Sequence, residues 1–392
     1  LRVAIARQGK VGWNEIVAAL AEIIRGEIVA AGSIPFERFM ELALYHPELG
    51  YYRRPGVRTG RAGDFFTSVS VGPLFGRLLA RQFLEMWEVT DRPAPFWIVE
   101  QGAGDGRLAG DVLAWCRQQA PDFFKAVRYG FVGESAAARE AQARNLAAAG
   151  LDGKAGWMDG LEARERREWT GVFFSNELVD AFPVRRVVFR GGKWREGRVE
   201  LDTRGEFRWG EREIADPALA EAVRELPALE GYATEINLRA RRWIAEVARA
   251  WGRGYVVTID YGFPASVYYA PFRREGTLTA YREHRRTAEV LAEPGGRDIT
   301  AHVDFTALAR AGEAAGLETL GFIDQQRFFT GIAHDELAGR AGPQAGVAEN
   351  LRAWQTLTHP DYLGTRFQVL VQGKGVPGGW AGLRYARAGG LD

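Results

Sequence analysis

The densest run of chemistry in the chain is Glu100, Gly102, Gly104, Asp105 and Gly106, which follows an apolar stretch from Phe96 to Val99. A helical pattern with Leu108, Val112, Trp115 and Cys116 on one face comes directly after it. Glycines at a strand-to-helix junction let the backbone approach a ligand with no Cβ in the way, and the helix start offers unpaired N–H groups. The segment therefore reads as a nucleotide-binding turn, with Gly102 and Gly104 lining the cofactor. Its spacing is G-x-G-x-G, whereas dinucleotide sites show G-x-G-x-x-G with an acid about 20 residues later. Here the next strand-end acid, Glu134, comes distinctly later. A carboxylate at that strand tip can accept hydrogen bonds from both ribose hydroxyls of an adenosine. A tight structural loop is the plainer alternative, and NAD is the chief competing ligand.

Two further strand ends carry polar groups. At Trp157, Met158 and Asp159, an aromatic or thioether face can stack on adenine while Asp159 accepts from its amino group, although Trp157 fits a core position as well. The segment from Ser175 to Pro183 places Asn176, Glu177 and Asp180 where doubly wound sheets bind ligands, so these three are the candidate catalytic residues. If the acceptor is a guanidinium, Glu177 and Asp180 can hold it by charge-assisted hydrogen bonds. The alternative role for Asn176 or Asp180 is helix capping. The five histidines, His46, His284, His302, His334 and His359, show no metal-ligand spacing, and no G-x-S-x-G occurs. Neither a metal site nor a hydrolase is expected.

The elements that must position these groups alternate along the chain. Strands are expected at 96–99, 127–132, 155–158 and 171–175, with a helix over 135–149, a pattern that argues for an α/β fold with a parallel sheet. Strands at 255–259, 317–323 and 367–371 would complete it. Residues 184–209 break the rhythm with β-rich segments split at Gly191 and Gly192, as an antiparallel insertion would. The first ninety or so residues read as helical, with Val17, Leu20, Ile23 and Ile24 on one stripe, around a Gly- and aromatic-rich loop over 51–70. The stretch 263–297 has little periodicity and is expected to be a long loop or small cap. The expected organisation is a helical cap over 1–92, a core of 93–183, 236–262 and 303–376, and acceptor-side insertions at 184–235 and 263–302.

Composition bounds the partners. Lys plus Arg number 51 against 50 for Asp plus Glu, so no overall field favours nucleic acid. The single cysteine, Cys116, excludes an intramolecular disulfide and suits a reducing compartment. No apolar run approaches the roughly 20 residues a membrane-spanning helix needs, and the N-terminus has no signal-peptide core. The expectation is a cytoplasmic protein without membrane insertion; because the chain opens at Leu1, an upstream segment stays open.

Several motifs in order give the chain a family resemblance. They are Phe36 to Met40 with Ala43 to Tyr52, Gly63 to Ser68 with Leu74 to Gly76, the glycine turn, Asn176 to Pro183, and Asp298 to Phe305. Together they resemble the MidA-like S-adenosylmethionine-dependent methyltransferases, whose mitochondrial relatives are arginine methyltransferases acting in respiratory complex I assembly. The resemblance implies a Rossmann-like class I methyltransferase sheet of seven strands, with a helical N-terminal cap and β-rich insertions. It implies S-adenosylmethionine rather than NAD, with Thr67 and Ser68 facing the cofactor, Asp180 at the catalytic edge and the 298–305 segment closing the site. Thr300 and His302 of that segment would alternatively cap the following helix. The implied partner is a protein substrate such as a respiratory complex subunit, and a homodimer is one assembly open to the chain. One departure stands out: where similar proteins read Thr-Ser-Pro-Glu, this chain has Thr67, Ser68, Val69 and Ser70. A cofactor-binding scaffold without turnover and a small-molecule methyltransferase are the competing readings, while an NAD-dependent dehydrogenase lacks a Tyr-x-x-x-Lys pair.

Overall fold

The computed structural model describes residues 13–53, 68–161, 168–282, 285–340, 342, 345–386 and 390–391. Seven strands form the path of the main sheet: β1 (Phe96–Gln101), β2 (Val127–Val132), β3 (Ala155–Met158), β4 (Thr170–Asn176), β5 (Arg253–Phe263), β6 (Glu318–Asp324) and β7 (Phe367–Lys374). Their order is β6-β7-β5-β4-β1-β2-β3. Strands β5, β4, β1, β2 and β3 run parallel, and β7 is antiparallel to both β5 and β6. A two-residue strand, Val303–Asp304, pairs with the end of β5, so the sheet holds eight strands rather than the expected seven.

Both faces of this sheet are covered, which is why its strands read as continuous apolar runs rather than alternating ones. Val172 and Phe174 of β4 point into one layer, packed with the helices α3 (Leu74–Glu88) and α4 (Arg107–Gln119). Phe173 points into the other, against α6 (Leu238–Ala250) and α7 (Phe305–Ala314). Cys116 is fully buried in the first layer. Helix α5 (Ala136–Ala148) joins β2 to β3 and starts at Ser135, whose hydroxyl accepts from the Ala138 N–H.

The N-terminal helices α1 (Trp13–Ala31) and α2 (Phe36–Tyr45) share a separate core with Val184, Val199, Ala280 and Ile299 of the insertions. Helix α3 does not join them: its apolar face lies in the main core, so the helical cap ends before residue 74 rather than at 92. Nor is the α1 stripe placed as expected, since Leu20 and Ile24 are buried while Ile23 faces solvent. The first insertion is an antiparallel sheet of 185–190, 193–201, 207–213 and 233–236, joined by the short strand 34–35. Gly191 and Gly192, at φ 60° and 75°, form the two-residue turn of its first hairpin, a geometry that favours glycine at both positions. The 263–297 region is more ordered than its weak periodicity suggests. It supplies the strands 279–282 and 285–287, which form a three-stranded sheet with 298–300.

Candidate active site

The carboxyl ends of β1, β2, β4 and β5 lie side by side, and the candidate residues gather there in two groups. The first is built on the turn after β1. Gly102, Gly104 and Gly106 all have positive φ, at 80°, 54° and 79°. At Gly104 a Cβ would meet nothing within 4 Å, whereas at Gly102 it would stand 3.1 Å from the Leu178 side chain. Gly104 thus faces open space, and Gly102 makes room for the neighbouring loop. Glu134, at the end of β2, accepts from the Ala103 N–H at 3.1 Å. Burial pushes its carboxyl above the usual range, an effect offset by hydrogen bonds from the turn and Gln142.

Gln142, fully buried on α5, was not singled out by sequence, because a lone amide in an Ala-rich helix gives no signal. It donates to the Gly104 carbonyl at 3.0 Å and accepts from the Trp157 indole at 2.8 Å, fixing turn to strand. Trp157 also stacks on Phe131, while Met158 lies half-buried beside Gly130. Asp159 is exposed and ion-paired with Arg139, which also donates to the Glu134 carbonyl. That carboxylate is exposed as well as paired with a surface arginine.

The second group lies after β4. Asn176 donates to Glu177 at 3.0 Å, and its own Oδ1 is buried without a hydrogen-bond partner. Glu177 adopts φ 51°, an uncommon backbone state for a residue with a side chain, and its N–H is held by the Ile259 carbonyl of β5. Burial, together with the charge of Asp260, pushes its carboxyl up to about 8. Asp180 is 8% exposed, and burial with the charges of Asp260, Asp298 and Glu177 raises its pKa well above the usual carboxylate range.

Asp260, at 0% exposure, is the residue that holds this loop. Its Oδ2 accepts from the N–H groups of Leu178, Val179 and Asp180 at 3.2, 2.8 and 3.3 Å, and its Oδ1 from Tyr261 at 2.8 Å. Those donors favour the ionised form, so Asp260 rises only to about 7 despite full burial. Sequence reading stopped at Ile259 because an acid directly after a buried strand looks like a strand end. The Asp180 carbonyl accepts from Ala301, and that of Ala181 from the Tyr45 hydroxyl. Asp298 is buried and accepts from the Tyr52 hydroxyl at 2.7 Å. Tyr261 and Tyr281 lie within electrostatic reach of Asp180, so the acids share the strand-end edge with two aromatic side chains. Among the described residues, no Lys or Arg pairs with Glu177, Asp180 or Asp260.

Ser68 belongs to this second group. Its backbone N–H donates to Glu177 at 3.3 Å, while its buried hydroxyl is taken up by Gln325 at 3.2 Å, so it braces Glu177 instead of offering a free hydroxyl to a cofactor. Thr67 lies outside the described residues. The helix after the 298–302 segment is capped by Asp304, which accepts from Ala307, and not by Thr300 or His302.

Comparison with known proteins identifies the family. The profile of a family of S-adenosyl-L-methionine-dependent methyltransferases matches residues 78–323, from α3 through β6. A fruit-fly (Drosophila melanogaster) relative, the protein arginine methyltransferase NDUFAF7 homolog, mitochondrial, is 28% identical, over 91% of this chain and 85% of its own. The mouse (Mus musculus) protein arginine methyltransferase NDUFAF7, mitochondrial, is 26% identical, over 90% and 84%. A crystal structure from Burkholderia thailandensis, bound to S-adenosyl-homocysteine, superposes with a TM-score of 0.87 at 32% identity, covering 97% of this chain and 99% of that one.

Proposed function

The chain belongs to the family of S-adenosyl-L-methionine-dependent methyltransferases, and from that premise we propose that it methylates an arginine side chain of a protein substrate. The residues present fit the cofactor. Gly104 leaves open space at the turn, Glu134 stands beside it, and the buried Oδ1 of Asn176 lacks a partner, as a group awaiting a ligand donor would. When bound, S-adenosylmethionine supplies an electrophilic methyl group on a sulfonium. Gly102, Gly104 and Glu134 would hold its adenosine, and Met158 would offer its thioether to the adenine.

The observation that carries the acceptor reading is the pair Glu177 and Asp180, a half-buried and a buried acid on one strand-end loop with no Lys or Arg paired to either among the described residues. A guanidinium entering between them would displace their protons and make charge-assisted hydrogen bonds to both. Asp260 would fix the loop, so both carboxylates aim the nucleophilic nitrogen before the reaction. As that nitrogen gains its methyl group it must release a proton, and Glu177, which binds one readily in this setting, is the acceptor at hand. Two relatives are named arginine methyltransferases, which supports the same acceptor. In keeping with the resemblance, a respiratory complex subunit is the substrate proposed, and a homodimer the assembly. The test is transfer of tritium from labelled S-adenosylmethionine into lysate protein, followed by acid hydrolysis. Label recovered as methylarginine is the expected result, whereas label in lysine, carboxyl esters or small molecules would refute the acceptor.

A further inference from the structure

Four arginines, Arg53, Arg273, Arg286 and Arg366, lie close to the aromatic residues around these acids. In the three-stranded sheet Tyr281 lies directly opposite Asp298 on one side and Arg286 on the other, so the three side chains share a face. That row runs from buried Asp298 through half-buried Tyr281 to exposed Arg286. Arg53 follows Tyr52, whose hydroxyl binds Asp298. Exposed Arg366 precedes Phe367, whose ring lies 4.0 Å from that of Tyr261. The Arg273 guanidinium sits 4.5 Å over Phe263, which packs on His302. Arg286 and Arg366 both bear electrostatically on Tyr281, and Arg273 and Arg286 both on His302, so three of the four share one neighbourhood, and Arg53 adjoins Tyr52, whose hydroxyl binds Asp298. Among the described residues no carboxylate pairs with any of the four.

We infer that these arginines form a rim that docks a peptide whose acceptor arginine is flanked on both sides by Asp or Glu. The inference rests on the arginine-acceptor reading and adds the substrate's sequence context to it. An acidic floor under a basic rim is complementary to a cation carried between anions: the central guanidinium goes in and its neighbours stay at the mouth. The same rim repels an arginine set among lysines. Such patterning fixes register and raises the encounter rate more than it adds buried contact. With a formal net charge of only +1, the chain has no overall field to do this, so the selection is local. An anionic lipid surface would also be drawn to arginines, but it brings no cation for Glu177 and Asp180.

The test is fluorescence anisotropy of the full chain saturated with S-adenosylhomocysteine, using labelled peptides of equal length. Their central arginine is flanked by Asp and Glu, by Ser and Gly, or by Lys, and a fourth peptide carries citrulline between acidic flanks. The acidic peptide should bind about tenfold more tightly than the neutral one at low salt, with the advantage shrinking as salt rises. In R286E/R366E, and in R286Q/R366Q as a milder second variant, that advantage should vanish while the melting temperature holds, both residues being exposed. Equal affinity for acidic and neutral flanks, an advantage that survives in both variants, or no binding of any peptide overturns the inference. So does a variant that loses only its binding to phosphatidylserine vesicles. If citrulline binds as well as arginine while the flank preference persists, the rim stands and the arginine pocket is what fails.

Discussion

The two halves of the strand-end edge are built on opposite principles. Around the glycine turn, polar groups find partners close by: Glu134 takes the Ala103 N–H, and Gln142 ties Gly104 to Trp157. Around Asp180, segments from α2, the β4 end, β5 and the 298–300 strand with Ala301 converge, and they bring acids together with no Lys or Arg paired to Glu177, Asp180 or Asp260 among the described residues. The first half is a preformed cradle whose shape comes from backbone. The second is a cluster of acids whose loop is held by Asp260, and on the acceptor reading proposed above a cation would replace the protons these acids bind. One half should therefore govern affinity for the cofactor and the other turnover.

The most severe way to break this division is Gly104→Val. A branched side chain resists φ 54° and would fill the open space, so calorimetry should detect no cofactor binding in a chain that still melts cooperatively. Next comes Asp180→Asn, which keeps the shape but removes the charge that aims the acceptor. Methyl transfer should fall about a hundred- to a thousandfold, with cofactor affinity nearly unchanged. A pure capping role would leave it active, since Asn caps about as well as Asp.

Glu134→Ala is the mirror test. Losing charge-assisted hydrogen bonds of about 1.5–3 kcal/mol each should weaken cofactor binding by about ten- to a hundredfold. Unchanged affinity in the folded variant would remove Glu134 from the cradle.

The smallest effect is a pH dependence. Glu177 binds its proton up to about 8 in the folded chain against an ordinary 4.5, so between those values the folded state holds the extra proton. Stability of the ligand-free chain should therefore rise as pH falls from about 8. Below 6.5 His302, which burial pushes down to about 4, acts in the opposite sense, while Glu100 and Asp260, raised to about 8 and about 7, act in the same sense as Glu177. The share of Glu177 is therefore read between pH 6.5 and 8 as the difference between the wild-type slope and the variant's. In that window Glu177→Gln should flatten the slope of melting temperature by about 2 °C per pH unit. An unaltered slope would show that Glu177 does not carry the strain.

Much of the cradle was legible because its parts are local. An apolar strand, closely spaced glycines and a strand-tip acid lie within 39 residues of Phe96, and β2 and β3 occur where their apolar runs stand. The acid cluster was only half legible. Asn176, Glu177 and Asp180 share one strand end, but Asp260 lies 80 residues from the N–H of Asp180 it accepts, and Asp298 lies 246 residues from Tyr52. No periodicity encodes those pairings; they exist only once the sheet order brings β5 beside β4 and the second insertion folds over both. The Asp159–Arg139 pair was hidden for a related reason, since Arg139 comes from the preceding helix. The 279–287 hairpin escaped notice because its strands are short and carry arginines where a buried pattern would show apolar residues.

The most direct test of the division is to measure both quantities on both variants: S-adenosylmethionine affinity by calorimetry, and single-turnover methyl transfer at saturating cofactor, for Glu134→Ala and Asp180→Asn. The account predicts a crossed result, with affinity lost only in Glu134→Ala and saturated turnover lost only in Asp180→Asn. If Asp180→Asn loses affinity as severely as Glu134→Ala, or keeps full turnover, the acid cluster is not the acceptor site and the central claim is wrong.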